Sequence, residues 1–174
     1  MGRASKSVQH WADSTAERIV RIRGERDCYV LAAGITPSGT VHFGNVREII
    51  TPELIARALL RLGCAVRFIY LWDDFDPFRK VPANLPGSGW ERYIGVPLAK
   101  IPDPYGTADS YAGHFAGVFE EQMKRLGITP EWISQAELYA NGTYAEGLRT
   151  ALENRAQLRE LLNRHRAEPL TDDW

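Results

Sequence analysis

The chain has 174 residues, 44% hydrophobic and 25% charged, which fits one globular domain or part of a larger protein and excludes a disordered or fibrous chain. The net charge of -1 offers no overall basic balance for nucleic acid, and no run of about 18 apolar residues predicts a membrane span. Cys28 and Cys64 lie in or beside apolar runs without CxxC spacing, so buried, reduced thiols in a cytoplasmic protein are expected.

Ser7 to Glu25 reads as an amphipathic helix, with Val8, Trp11, Thr15, Ile19 and Ile22 near helical spacing. Cys28 to Ala33 is an apolar run without alternation, as in a parallel strand covered on both faces. A loop of small residues follows, AAGITPSGTVHFGN from Ala32 to Asn45. From Phe43 to Leu62 the apolar residues trace a helical stripe, and Pro52 either kinks that helix or starts a second. Gly63 is its stop. Ala65 to Trp72 predicts a second strand, and the proline-rich stretch from Pro77 to Tyr105 is expected to be mostly irregular. Asp109 to Leu126 predicts a helix with Tyr111, Phe115, Val118, Phe119 and Leu126 on one side. Trp132 to Gln135 predicts a third strand. Thr143 to Arg166 predicts one long helix with Tyr144, Leu148, Leu152, Leu158, Leu161 and Leu162 inward and a Glu160–Arg164 pair on its surface. Strand and helix alternate, so the fold class is α/β, a parallel sheet with flanking helices.

In such sheets ligands bind beyond the carboxyl ends of the strands, where the Ala32–Asn45 loop emerges. Gly34, Gly39 and Gly44 let backbone approach a ligand. A helix N-terminus attracts phosphate, and His42 at that terminus can donate to a phosphate oxygen. GKS, GKT and GxGxxG are absent, so neither common phosphate-loop fingerprint applies. On these residues alone, a βα loop of turn residues with a chance histidine stays open as the alternative. Asp73, Asp74 and Asp76 follow the second strand at the same sheet edge. They are carboxylates for a cationic ligand, or turn caps paired with Arg79 and Lys80. His10, His114 and His165 stand without partners at metal-ligand spacing, so they read as surface or packing residues and no metal site is expected. Trp72, Trp90 and Trp132 read as core or lid residues.

Pro37, Ser38, Gly39, His42, Gly44 and Asn45 form P-S-G-x-x-H-x-G-N, which resembles the HIGH motif of class I aminoacyl-tRNA synthetases in its H-x-G-N form. FIYLWDDFDPFRKVP (Phe68 to Pro82), PDPYGTADSYAGHF (Pro102 to Phe115) and YAEGLRTALENR (Tyr144 to Arg155) resemble segments of class I, archaeal-type lysyl-tRNA synthetases, in order along the chain. The resemblance implies a Rossmann-like catalytic domain that activates L-lysine with ATP, Mg2+ arriving with the nucleotide, and passes lysine to tRNA(Lys). It implies ATP contacts from Pro37, Ser38, Gly39, His42, Gly44 and Asn45, with His42 and Asn45 catalytic. It also implies lysine contacts from Gly34, Thr36, Asp73 and Asp74. Asn45 stands where the HIGH tetrad has its second histidine, and nothing matches the KMSKS loop. Residues 1–174 are therefore expected to be the N-terminal part of the catalytic domain, ending within the insertion that connects its halves. The alternative is a non-catalytic nucleotide- or amino-acid-binding module derived from a synthetase. A different nucleotidylyl transferase with an H-x-G-H motif is disfavoured by Arg79-Lys80-Val81-Pro82 and by the length of the match.

Overall fold

The structure, a computed structural model, describes residues 9–174, so Ser7 and Val8 of the expected first helix lie outside the described residues. The described residues form two compact units, one ending at Gln135 and one from Ala136 to Trp174. The first contains α1 (Trp11–Arg23), β1 (Tyr29–Ile35), α2 (Phe43–Arg61), β2 (Val66–Trp72), α3 (Tyr111–Arg125) and β3 (Glu131–Ser134). The three strands are parallel in the order β1-β2-β3, with Gly34 opposite Leu71, Ile35 opposite Trp72 and Trp72 opposite Ser134. This is the α/β arrangement the alternation of elements predicts.

The core lies on one face of the sheet. Tyr29, Leu31 and Val66 pack with Ala12, Ala16, Ala58 and Leu59, and Ile35, Phe68, Tyr70 and Trp72 pack with Ile49, Ala116, Phe119 and Met123. The alternate residues point to the other face. There Val30 is 56% exposed, Ala32 is exposed, and Ile69 and Leu71 are only half-buried. Among the described residues of the first unit, the expectation of a β1 covered on both faces is thus corrected to a sheet covered on one. Arg67 and Glu131 span β2 and β3 on the open face in a bidentate pair, both contacts 2.7 Å.

Several expectations shift in register. α1 buries Ala12 and Ala16 with Ile19 and Val20 beside them, while Trp11 and Ile22 are exposed. His10 is its cap, accepting from the Ala12 amide at 3.2 Å. Pro52 stands inside one unbroken α2. Phe43 and Leu62 of the α2 stripe, and Val118 and Leu126 of the α3 stripe, are exposed, whereas Tyr111, Phe115 and Phe119 are buried. Cys28 precedes β1 and is exposed, and Cys64 is half-buried, which corrects the buried thiols.

Residues 77–105 are more ordered than their prolines predict. They contain short 3-10 turns at Trp90–Tyr93 and Leu98–Lys100. Phe78, Leu98 and Ile101 form a second core with Tyr111, Ala112 and Phe115, against which Trp90 is half-buried. Asp103 anchors the end of this segment. Burial pushes its carboxyl up, but the amides of Tyr105, Thr107 and Ala108 and the Thr107 hydroxyl outweigh that and hold its pKa at about 2. His114 Nδ1 lies 2.9 Å from the Thr107 hydroxyl, so this histidine ties the loop to α3.

Tyr70 is fully buried, and its hydroxyl has no hydrogen-bond partner among the described residues. An unpaired buried hydroxyl costs about 1–3 kcal/mol. Tyr70→Phe keeps the ring, which stands edge-on to Trp72 and Trp132. It is expected to raise stability by about 1 kcal/mol in urea unfolding. A comparable loss would mean that the hydroxyl is paired in solution.

After α4 (Gln135–Ala140), the second unit holds α5 (Ala145–Glu153) and α6 (Arg155–Asn163). The single long helix expected from Thr143 breaks at Asn154, whose φ of -104° and ψ of 19° leave the helical basin and whose side chain donates to the Thr150 carbonyl at 2.8 Å. Leu148, Leu152, Leu161 and Leu162, expected inward, are exposed. The Glu160–Arg164 pair does not form; Arg159 pairs with Asp172 at 2.6 Å instead.

Candidate functional site

β1 delivers its loop to the start of α2, and His42 is the N-cap of that helix. Its Nδ1 accepts from the Gly44 amide at 3.1 Å, while Asn45 Oδ1 accepts from the His42 amide at 3.3 Å. The two residues form a reciprocal capping box, with histidine in the place usually held by serine or threonine. The cap assigns the tautomer. Nδ1 accepts, so a neutral ring carries its proton on Nε2. That N–H is a donor held at a helix N-terminus, where the dipole favours anions. Asn45 has its oxygen occupied and keeps its amide donors. Gly44 leaves the ring its place, because a Cβ there would stand 2.9 Å from His42 Cε1 and the ring would have to shift. The room left by Gly44 is filled by the histidine ring itself.

The loop is fastened from behind. Tyr111, fully buried at the start of α3, donates its hydroxyl to the Ser38 carbonyl at 2.8 Å. Burial pushes this phenol up to about 12. Pro37 is fully buried within the loop. Gly39 has open space, its nearest neighbours being Pro82 and Tyr111 at 3.9 Å. Sequence reasoning missed Tyr111 as a site residue because its partner lies 73 positions away.

Two cavities meet at this loop. One, of about 290 Å3, is lined by Ser38, Gly39, Thr40, His42, Asn45 and Asn84 among others. The other, of about 340 Å3, is lined by Asp76, Phe78, Arg79, Lys80 and Leu98. Thr36, Ser38 and Pro82 belong to both walls.

The carboxylates after β2 are not equivalent. Asp74 is buried and accepts from the Ser134 hydroxyl at 2.5 Å, so it joins β2 to β3. Asp76 accepts from the Thr36 hydroxyl at 2.9 Å, with Arg79 standing off at 3.9 Å. Asp73 is half-buried, and its amide donates to the Ile35 carbonyl at 3.0 Å. Burial raises its pKa, and the charges of Asp76 and Asp74 raise it further. A carboxyl raised on folding destabilises the fold once it ionises. The penalty is absent below its unfolded pKa and complete above its folded one. Asp73→Asn is therefore expected to raise the urea midpoint at pH 7, with the gain vanishing as pH falls below about 4. An unchanged or lowered midpoint at pH 7 would refute this. Among the described residues, no three His, Cys, Asp or Glu side chains are grouped to hold a metal ion. No helix there is long and apolar enough to cross a membrane.

A parallel sheet whose first strand empties into a histidine-capped helix, with carboxylates at the end of the next strand, has the form of the N-terminal half of a class I synthetase. Residues 9–174 match the family described as tRNA synthetases class I (K), and the chain belongs to it. It is 47% identical over 169 residues to the lysine–tRNA ligase of Pyrococcus furiosus, covering 95% of this chain and 32% of that protein. It is 44% identical over 160 residues to that of Treponema pallidum, covering 91% and 30%. With the enzyme of Methanococcus maripaludis it shares 43% identity over 165 residues, covering 95% and 31%. The chain spans about a third of the length of these relatives.

Proposed function

We propose that this chain is the N-terminal part of the catalytic domain of a lysine–tRNA ligase, gathering ATP with its Mg2+ and L-lysine ahead of transfer to tRNA(Lys). The observation that carries the reading is the capped histidine, which aims a fixed N–H donor from a helix N-terminus beside a cavity of about 290 Å3. In adenylate formation a lysine carboxylate oxygen bonds to the α-phosphorus of ATP as the bond to pyrophosphate breaks. Negative charge shifts onto phosphate oxygens in that step. His42 Nε2–H, the Asn45 amide and the first amides of α2 are donors for it, already oriented before reaction. Ser38 and Gly39 shape the nucleotide wall. Thr36, Gly34 and the carboxylates after β2 receive the amino acid, whose ammonium groups need acceptors where water is excluded.

Calorimetric titration of the chain with ATP and with L-lysine tests the reading, together with lysine-dependent ATP–pyrophosphate exchange by the chain joined to the remaining length of a relative. Saturable binding of both ligands, with exchange in the joined protein, is expected. Binding without exchange would assign the chain to a non-catalytic module instead, and no binding of either ligand would remove the proposal.

A further inference from the structure

We propose that Asp76 is a positioning residue for the amino acid: by accepting the hydrogen bond of the Thr36 hydroxyl it orients Thr36 as an acceptor for the substrate's α-ammonium group. The inference deepens the lysine reading and rests on it.

A carboxylate accepts hydrogen bonds and donates none. At 2.9 Å the Thr36 hydroxyl therefore donates to Asp76, and the lone pairs of Thr36 Oγ1 are left for a donor from elsewhere. This contact joins the end of β1 to the loop after β2 across 40 residues, so it exists only in the folded site. Arg79, at 3.9 Å and with a side chain 79% exposed, is too distant and too well solvated to satisfy Asp76. The other carboxylates have different partners. Asp74 accepts from the Ser134 hydroxyl, and Asp73, whose amide donates to the Ile35 carbonyl, shows no side-chain bond to Thr36.

The choice of the α-ammonium follows from where Thr36 stands. It lines both cavities, so it marks the boundary between the nucleotide and the amino acid. The end of an amino acid that meets the α-phosphate is its carboxylate. The α-ammonium is held one carbon away, while the ε-ammonium lies at the far end of the side chain.

Three ligands divide the possibilities in titrations of the wild-type chain, of Asp76→Leu, Thr36→Ser and Thr36→Val, and of the double variant Asp76→Leu with Thr36→Val. L-lysine has both ammonium groups, L-norleucine has only the α group, and 6-aminohexanoate has only the terminal one. Asp76→Leu keeps the shape of the side chain and removes its acceptor. It is expected to weaken L-lysine and L-norleucine by a similar factor of roughly ten or more, the scale of one hydrogen bond to a charged group. It should leave 6-aminohexanoate and ATP unchanged, which also reports an intact fold. Thr36→Ser should bind as wild type. Thr36→Val should lose as much as Asp76→Leu, and the double variant little more, because the two residues act as one unit. Unchanged L-lysine binding by Asp76→Leu overturns the inference, as does an equal loss for 6-aminohexanoate or an additive double variant. The lysine reading fails separately if the wild-type chain binds L-norleucine as tightly as L-lysine. The effect of Asp76→Leu on L-norleucine still decides the inference in that case. A wild-type chain that binds neither amino acid overturns both.

Discussion

His42→Ala is expected to slow lysine-dependent adenylate formation by about 10²–10³, or about 3–4 kcal/mol, the usual effect of removing one preorganised donor from a developing oxyanion. The structure splits this loss into two parts. The ring caps α2 through Nδ1, and in the proposed site its Nε2–H is the donor to the nucleotide. Alanine removes both, so part of its effect is helix stability, about 0.5–2 kcal/mol for a lost cap. His42→Asn separates them. Asparagine is a strong N-cap whose oxygen can accept from the Gly44 amide, but it places no donor where Nε2 stood. The asparagine variant is therefore expected to melt close to wild type and still lose most of the rate. Lysine affinity without ATP should change little in either, because the proposed amino-acid site is on the Thr36 side of the loop. Single-turnover adenylate formation, thermal unfolding and lysine titration, all in the chain joined to the remaining length of a relative, read out the three quantities. If asparagine restores the rate, or if alanine weakens lysine binding as much as it slows chemistry, His42 is a cap and nothing more.

That double duty was only half legible in the sequence. The order of elements was readable, because strand and helix periodicities survive in the apolar pattern of Cys28–Ala33, Phe43–Leu62 and Ala65–Trp72. The position of His42 at a helix start was readable from the glycines and proline before it. Its tautomer was not, since it depends on a hydrogen bond two residues on. The long-range contacts were hidden for a different reason. Thr36 with Asp76, Tyr111 with Ser38 and Asp74 with Ser134 are separated by 40, 73 and 60 residues, and no local pattern encodes such pairs. The open face of the sheet misled the reading in the other direction. Val30 and Ala32 continue an apolar run that signals cover on both sides, yet both are exposed. In the same way the leucines of α5 and α6 follow helical spacing correctly, while the helix ends at Asn154, whose backbone and side chain both bond the Thr150 carbonyl, a local ending that spacing does not register.

Gly34→Ala is expected to destabilise the chain by about 1–3 kcal/mol, as overpacking a tight site does, and to cost lysine binding with it. The cause is steric and not conformational. Gly34 has no positive φ, so alanine suits its backbone. The difficulty is the neighbouring strand. A Cβ at Gly34 would stand 2.4 Å from the Leu71 carbonyl oxygen and 3.1 Å from Leu71 Cβ. The nearest obstacle is backbone, so no side-chain rotation relieves it and β1 must move away from β2. The movement falls at the strand ends that support the site. Thr36 is two residues on, and the Asp73 amide that bonds Ile35 is two residues beyond Leu71. The acceptors for an ammonium group would part, while the His42 cap, built from residues within α2 and its first turn, would keep its geometry. Lysine affinity should therefore fall further than ATP affinity. Gly39→Ala is the control, because a Cβ there meets nothing nearer than 3.9 Å and should change stability by less than about 0.5 kcal/mol. Gly34 lies in β1 and Gly39 in the loop that follows it, and only Gly34 is held by the packing of the sheet. Urea unfolding with ligand titrations decides the matter: a Gly34→Ala chain as stable as Gly39→Ala would show that the strands yield at this point, and any loss of lysine binding would then belong to direct contact with Gly34.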